Sequence, residues 1–344
     1  MSVIVIVGPN LPGGQAVQVR ALADGLRSDG YAVRVVPIYA RFPRALRHVR
    51  KVRYLRTLLN EALYIASLHE LRRADVVHIF SASYWSFLLA PVPAIVAAKM
   101  LGKPVVLHYH SGEAADHLQR WGAIVAPFLR MVNAIVVPSA YLQSVFASYG
   151  YATRVVPNVI DTHRFGYRER RSLRPRLLSA RNLESHYRVD NTLRAFALLK
   201  ERFPESTLTV AGAGTEESRL RAMAPAGVQF AGSVDPESLP ALYADADIFV
   251  NSSVVDNQPV SILEAFSAGL PVISTGIGDI PSMLRNGEAG VLVPADDPRA
   301  TADAIARLIE APDLAARIAR RAREEVERYT WPSVRALWRD VYAA

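Results

Sequence analysis

Two acids eight positions apart, Asp256 and Glu264 in the segment DNQPVSILE, are the residues of this chain best spaced for chemistry. Pro259 is expected in the first turn of the helix that the segment opens, and Gly269 with Pro271 closes it. Asp256 then lies on the preceding loop and Glu264 about two turns in, with backbone N–H groups between them that a helix start leaves unpaired. That arrangement suits an anionic ligand carrying hydroxyl groups. Spacing alone fits two solvated acids on a surface helix equally well.

Other residues are placed where strands should turn into helices. The first apolar run ends in GPNLPGGQAVQ, so Gly8, Gly13 and Gly14 could bring backbone close to a phosphate at a helix start, or could simply supply positive φ. Neither GxGxxG nor GxxxxGK[ST] occurs, which disfavours a nicotinamide oxidoreductase or a P-loop enzyme. His110 ends the run VVLHYH, at a position that suits a hydrogen bond to a sugar hydroxyl or to a leaving oxygen, although a lone histidine is more often structural. His108 shares its face, and the strand end favours His110. Arg181 ends the run LLSA, where a guanidinium can hold a diphosphate at about 1.5–3 kcal/mol or can serve as a surface ion pair. Asp245 and Asp247 in YADADIF begin a buried strand and read as structural, so no carboxylate pair calls for a metal.

Short β-branched runs alternate with helix-length segments, the pattern of parallel sheets. The runs at 3–7, 33–36, 76–80, 105–107 and 134–137 are continuously apolar or nearly so, as strands buried on both faces are. The pattern restarts after VVPNVIDTHRF and the polar stretch 166–175, with LLSA, LTV, VQF, IFV, VIS and VLV as a second set. Two α/β halves result, each binding ligands outside the carboxyl ends of its strands.

From Asp256 onward, DNQPVSILEAFSAGLPVISTGIGDIPSMLRNGEAGVLVPADD resembles the acid-x7-acid signature of the retaining nucleotide-sugar glycosyltransferases of family 4. The Gly13-Gly14 turn, VVLHYH, VVPSAYLQSVFASYGY, VVPNVID, Arg181, TLTVAGAGTEESRL and GVQFAGSVDPESLPALYADADIFVNSS agree in order and spacing, so the resemblance covers nearly the whole chain. It implies an α/β GT-B fold, two Rossmann-like doubly wound parallel-sheet domains facing across a cleft. The domains expected are 1–165 on the acceptor side, 166–328 for the nucleotide sugar, and a helix at 329–344 returning to the first domain after the Trp331-Pro332 break.

The same resemblance implies catalytic roles for His110, Arg181, Asp256 and Glu264. Asp256, Asn257, Gln258, Pro259 and Val260 would line the sugar site, Ser261 and Ile262 would offer amides to the diphosphate, and Glu264 would hold the ribose. Gly13, Gly14, Gly212 and Gly232 would complete the donor site, and no metal or other cofactor is implied. Two positions depart from the family pattern. The lysine that usually follows the arginine is missing from NLESHYRVD, where Tyr187 or His186 takes its place and Arg188 offers another charge. Asp256-Asn257 stands where Glu-Gly is usual, one methylene shorter at the acid. A GT-B nucleotide-sugar epimerase or hydrolase, or a non-catalytic glycan- or nucleotide-binding protein, stays open as an alternative to a transferase.

Global properties bound these readings. The 344 residues, 51% hydrophobic, suffice for two cores, and with no cysteine there are no thiol nucleophiles, disulfides or cysteine metal sites. No signal-peptide pattern opens the chain and the run FLLAPVPAIVAA is too short to span a bilayer, so a cytoplasmic protein is expected. Residues 1–170 carry 20 Lys and Arg against 9 Asp and Glu, the remainder 20 against 23. No nucleic-acid recognition element accompanies the basic half. Its segment 41–63 instead reads as an amphipathic, acid-poor helix with Arg41, Arg44, Arg47, Arg50, Lys51, Arg53 and Arg56 beside Phe42, Leu46, Val49, Val52, Leu59 and Leu63. It would dock on the anionic inner face of the cell membrane at about 1 kcal/mol per cation, or bind an acidic acceptor, or pack on its own core.

Overall fold

The computed structural model describes residues 2–11, 13–40 and 53–343. They form two compact units, Met1–Val159 with Val334–Ala344, and Ile160–Ser333. The first boundary falls before the expected residue 165 because the Ile160 amide donates to the Tyr329 carbonyl at 2.9 Å, inside the second unit.

In the first unit, β1 (Val3–Gly8), β2 (Ala32–Pro37), β3 (Val76–Ser81), β4 (Val105–Tyr109), β5 (Ala134–Val137) and β6 (Arg154–Val155) form one sheet in the order β2-β1-β3-β4-β5-β6. All its pairings are parallel. Between the strands run α1 (Gly14–Ser28), α2 (Arg53–Ser67), α3 (Tyr84–Leu89), α4 (Pro91–Met100), α5 (Ala114–Met131) and α6 (Ala140–Ser148). Val5, Val7, Val77, Ile79 and Leu107 are fully buried at its centre, each contributing about 1.5–3 kcal/mol of apolar burial. β2 departs from the expectation of burial on both faces: as the edge strand it leaves Arg34 and Val35 exposed. Gly8 is a packing glycine, since a Cβ there would stand 2.5 Å from Val19. Pro91 breaks the apolar run 87–98 into α3 and α4, and no described helix is long and apolar enough to cross a membrane.

The second unit repeats the plan with β7 (Arg176–Ala180), β8 (Thr207–Ala211), β9 (Val228–Gly232), β10 (Ile248–Asn251), β11 (Val272–Thr275) and β12 (Val291–Val293), ordered β12-β11-β10-β7-β8-β9. Its helices are α7 (Val189–Arg202), α8 (Glu217–Met223), α9 (Leu239–Asp245), α10 (Val260–Ala268), α11 (Ile280–Met283), α12 (Pro298–Glu310) and α13 (Pro312–Val326). The final helix, α14 (Trp331–Ala343), starts in this unit, and from Val334 onward belongs to the first.

In each sheet the strand order reverses once, between β1 and β3 in the first and between β7 and β10 in the second. Ligands of open α/β sheets bind outside the carboxyl ends at such points. Arg181 follows β7 and the loop to Asp256 follows β10, so the second unit's reversal point carries the acid motif.

Asp247 anchors the entry to that region. It is fully buried and paired with Arg168, Arg170 and Arg174, and its Oδ2 also accepts from the Arg174 amide at 2.9 Å. Burial pushes its carboxyl up, but the arginines' hydrogen bonds outweigh this and hold it below the usual range. Asp245, by contrast, is an exposed residue at the end of α9, paired with Arg176.

Candidate active site

α10 begins at Val260, with Pro259 as its N-cap at φ −67° and ψ 121° and Gly269 at φ +73° ending it. Pro259 therefore precedes the helix by one residue instead of sitting in its first turn. Glu264 accordingly lies little more than one turn in, not two. Gly269 suits the left-handed C-cap, where glycine has no Cβ penalty.

Arg181, Asp256, Ser261 and Tyr187 converge in front of α10. The Arg181 guanidinium is 9% exposed, pairs through Nη2 with Asp256 Oδ2, and donates from Nη1 to Ser261 Oγ at 3.2 Å. The Tyr187 ring lies against its other face, 4.1 Å from the guanidinium carbon, a cation–π contact. Arg181 Nε is buried with no hydrogen-bond partner among the described residues. The expected sugar ligand and the expected diphosphate ligand are thus bonded to each other. Arg188, the other charge offered there, takes a left-handed backbone conformation and pairs with Asp190 and Asp296.

Glu264 is buried, and Tyr243 Oη donates to its Oε2 at 2.6 Å. Burial raises its carboxyl pKa, with the Tyr243 bond and the charges of Arg164 and Arg181 opposing. Tyr243, itself stacked on Phe249, was missed from sequence because nothing in YADADIF marks one aromatic as a partner for an acid eighteen residues or more away. The Ile262 amide donates to the Pro259 carbonyl at 3.1 Å, so it is engaged within the first turn and is not the diphosphate donor expected.

A second loop clamps the acid motif. The Asp279 amide donates to the Asn257 carbonyl at 3.0 Å, and Gln258 Nε2 donates to Asp279 Oδ2 at 3.0 Å. Burial lifts the Asp279 carboxyl to about 6. At Gly278, φ +55°, a Cβ would lie 2.3 Å from the Asp256 carbonyl. The GIGD turn was the sequence signal for this contact. Asn257 and Gln258 are buried by it, and Asp256 Oδ1 accepts from the Asn257 amide at 2.9 Å.

Gly212 belongs to the same scaffold. With φ +141° and a hypothetical Cβ only 1.9 Å from the Arg181 carbonyl, it lets the β8 loop close on the β7 loop, where the Arg181 and Leu183 amides reach the Ala211 and Ala213 carbonyls at 3.0 Å. Gly232 needs its freedom only for φ +66°, and its carbonyl accepts from the Gly212 amide at 2.8 Å.

In the first unit, Gly13 caps α1 with φ +152° and no side-chain cap, and a Cβ on Gly13 or Gly14 would meet nothing within 4 Å. Open space therefore lies before the α1 start, where N–H groups point. His110 follows β4, half-buried, stacked on Phe80 at 5.1 Å and 16°. Burial pushes its pKa down to about 3, so the ring is neutral at physiological pH. Phe80 also lines a cavity of about 860 Å³ with Asn10, Gln15, Tyr39, Asn60 and Glu61 among its walls. Asn60 is fixed there by bonds to the Ala40 amide and the Ile38 carbonyl. The described residues contain no group of three His, Asp or Glu arranged for a metal ion. Of the basic segment 41–63, residues 41–52 lie outside the described residues; on α2, Leu55, Leu58 and Ile65 are exposed.

Comparison with known proteins agrees with this architecture. The family model "Glycosyltransferase Family 4" matches residues 12–164, and "Glycosyl transferases group 1" matches residues 174–311. A glycogen synthase of Mycobacterium tuberculosis is 29% identical over 79% of this chain and 69% of its own length. A phosphatidyl-myo-inositol mannosyltransferase of Mycolicibacterium smegmatis is 28% identical over 78% of this chain and 70% of its own. The crystal structure of Anabaena HepE in complex with UDP-glucose superposes with a TM-score of 0.77 over the full length of both chains at 16% identity, a likeness of fold. With two parallel six-stranded sheets and both family models matched in succession, the chain belongs to the family 4, group 1 glycosyltransferases of GT-B fold.

Proposed function

We propose that the chain moves a sugar from a nucleotide diphosphate sugar, a UDP- or GDP-sugar, to a glycan or lipid-linked acceptor with retention at the anomeric carbon. The observation that carries this reading is the convergence of Arg181, Asp256 and Ser261 before the α10 N-terminus, with Glu264 one turn further along. Arg181 and the helix start stabilise charge on the departing diphosphate, the site of greatest charge development. Glu264, held through Oε2 by Tyr243, offers Oε1 to the ribose. Asp256 and the following residues hold the sugar hydroxyls.

In the transfer, the bond from the anomeric carbon to the diphosphate oxygen breaks and its electron pair leaves with the diphosphate. The acceptor oxygen bonds to the same face of that carbon, and its proton passes to the departing oxygen. His110, neutral, acts by hydrogen bonding at the sugar instead of as an imidazolium.

The cavity beside Phe80, walled by amides, a phenol and Glu61, suits a polyhydroxylated acceptor. The names of the relatives, a glycogen synthase and a phosphatidyl-inositol mannosyltransferase, support a glycan or a lipid-linked one. Exposed Leu55, Leu58 and Ile65 on α2 support docking on an anionic membrane as a peripheral protein.

Incubation with UDP- and GDP-sugars and a panel of glycan and lipid acceptors, read by the anomeric coupling of the product in proton NMR, tests the reaction. A product with the donor's anomeric configuration is expected. An inverted product, or consumption of donor to an epimer without acceptor, contradicts it. Co-sedimentation with phosphatidylglycerol vesicles is expected, and protein that stays in solution at low salt removes the membrane element.

A further inference from the structure

His110 stands at the end of a buried column of rings in the first unit, and the proposed reaction leaves the rest of the column without a role. His78 on β3 and His108 on β4 project from the same sheet face, with His78 opposite Val106 and His108 opposite Phe80. Both are buried, and His78 Nε2 lies 3.3 Å from His108 Nδ1. Tyr342 Oη, on α14, lies 2.8 Å from His78 Nδ1. Trp338, one turn earlier on α14, packs 5.2 Å from His78 and 5.0 Å from His108. His108 in turn packs 4.0 Å from His110, ring centre to ring centre. Among the described residues, His108 Nε2, His110 Nε2 and Trp338 Nε1 are buried without hydrogen-bond partners.

Burial keeps all three imidazoles neutral, so each has one N–H and one lone pair. A chain of neutral imidazoles has two self-consistent proton arrangements. In the first, the Tyr342 hydroxyl donates to His78 Nδ1, His78 Nε2–H donates to His108 Nδ1, and the His108 proton is left at Nε2. In the reverse, His108 Nδ1–H donates to His78 Nε2 and His78 Nδ1–H donates to Tyr342, whose own hydrogen needs another acceptor. Tyr342 makes no other hydrogen bond among the described residues, which selects the first arrangement. The His108 ring lies 4.0 Å from His110, centre to centre, so the dipole that this arrangement fixes on His108 acts on the His110 imidazole and biases it toward one tautomer.

We infer that Tyr342, His78 and His108 are positioning residues that set the ring and tautomer of His110, so that the last helix of the chain tunes a residue at the end of β4. The inference rests on the reading that His110 works at the transferred sugar. Phe80 stacks on the His110 ring at 5.1 Å and also packs 4.9 Å from His108, so the imidazole is held against both Phe80 and the relay.

Ring nitrogen-15 correlation spectra of the full chain, assigned with His78→Gln, His108→Gln and His110→Gln variants, read the tautomers directly. Wild type is expected to show one dominant His110 tautomer. Tyr342→Phe keeps the ring and removes only the hydroxyl, and it is expected to shift the tautomer balance of His78, His108 and His110 together. With UDP-glucose or GDP-mannose as donor, the same variant is expected to lower kcat for nucleotide release about tenfold with KM changed less than twofold, a split that general loosening of the fold would not give. An even mixture of His110 tautomers in wild type, or a His110 tautomer unmoved in Tyr342→Phe, overturns the relay. Coupled shifts alongside wild-type turnover by His110→Ala would leave the relay standing and remove His110 from the proposed reaction.

Discussion

Arg181 and Asp256 form a buried ion pair in the second unit, the guanidinium 9% and the carboxylate 12% exposed. With Ser261 and the Tyr187 ring also on the guanidinium, the carboxylate occupies the place that a diphosphate oxygen would take in the proposed complex. Donor binding then exchanges one anion for another on Arg181 and releases Asp256 to the sugar hydroxyls. The pair also keeps either charge from being buried alone, which is costly.

Glu264 depends on Tyr243. Replacing Tyr243 with Phe removes the hydroxyl that holds Oε2 and leaves a buried carboxylate short of a donor, at a cost of about 1–3 kcal/mol. The variant is expected to unfold at lower urea concentration and to raise the donor KM several-fold. A wild-type KM would show that Glu264 does not need this support.

The buried histidines make stability depend on pH. Burial lowers His78 and His110 to about 3, His117 to about 4, and His108 well below 6.5. Below pH 6.5 the unfolded chain takes up protons at these rings that the folded chain refuses, so stability is full above 6.5 and falls as pH drops toward 4. Asp279, raised to about 6, and Glu264, also raised, act in the opposite sense, because there the folded state holds protons that the unfolded state releases. Glu61, also raised by burial, joins these acids, and the four histidines outweigh the three, so stability is expected to fall as pH drops toward 5. Urea midpoints measured from pH 7.5 to 5 should show this, and His117→Gln should reduce the slope by about one group's share, roughly 1.4 kcal/mol per unit. An unchanged slope contradicts the assignment of His117.

Asp247 and Asp245 separate by mechanism. Asp247→Ala leaves three arginines around an empty position, one of them Arg170, which burial already lowers to about 10. A loss of about 3–5 kcal/mol is expected, against under about 1 kcal/mol for exposed Asp245. Equal denaturation midpoints for the two variants would contradict this.

Much of the fold was legible because its signals are local. Eleven apolar runs marked eleven strands, while the two-residue β6, with an exposed arginine, had no run to reveal it. The positions of Arg181, Asp256 and Ser261 were legible as candidates, but their mutual bonds were not, since they join loops after β7 and β10 that only the sheet order makes neighbours. The ion pairs of Arg188 were not legible either, because its acids, Asp190 and Asp296, lie more than a hundred residues apart. Tyr243 was hidden for the same reason. Pro259 was misplaced by one residue because proline is compatible with both the cap and the first turn.

The most direct measurement is calorimetric titration of UDP and GDP into wild type, Arg181→Ala and Asp256→Asn. Diphosphate binding at Arg181 requires that Arg181→Ala weaken the better nucleotide about ten- to a hundredfold, the worth of a charge-assisted contact. Asp256→Asn, which removes the competing anion and keeps the shape, should tighten binding of the same nucleotide several-fold while abolishing sugar transfer. Unchanged affinity in Arg181→Ala, or weaker nucleotide binding in Asp256→Asn, would contradict the account.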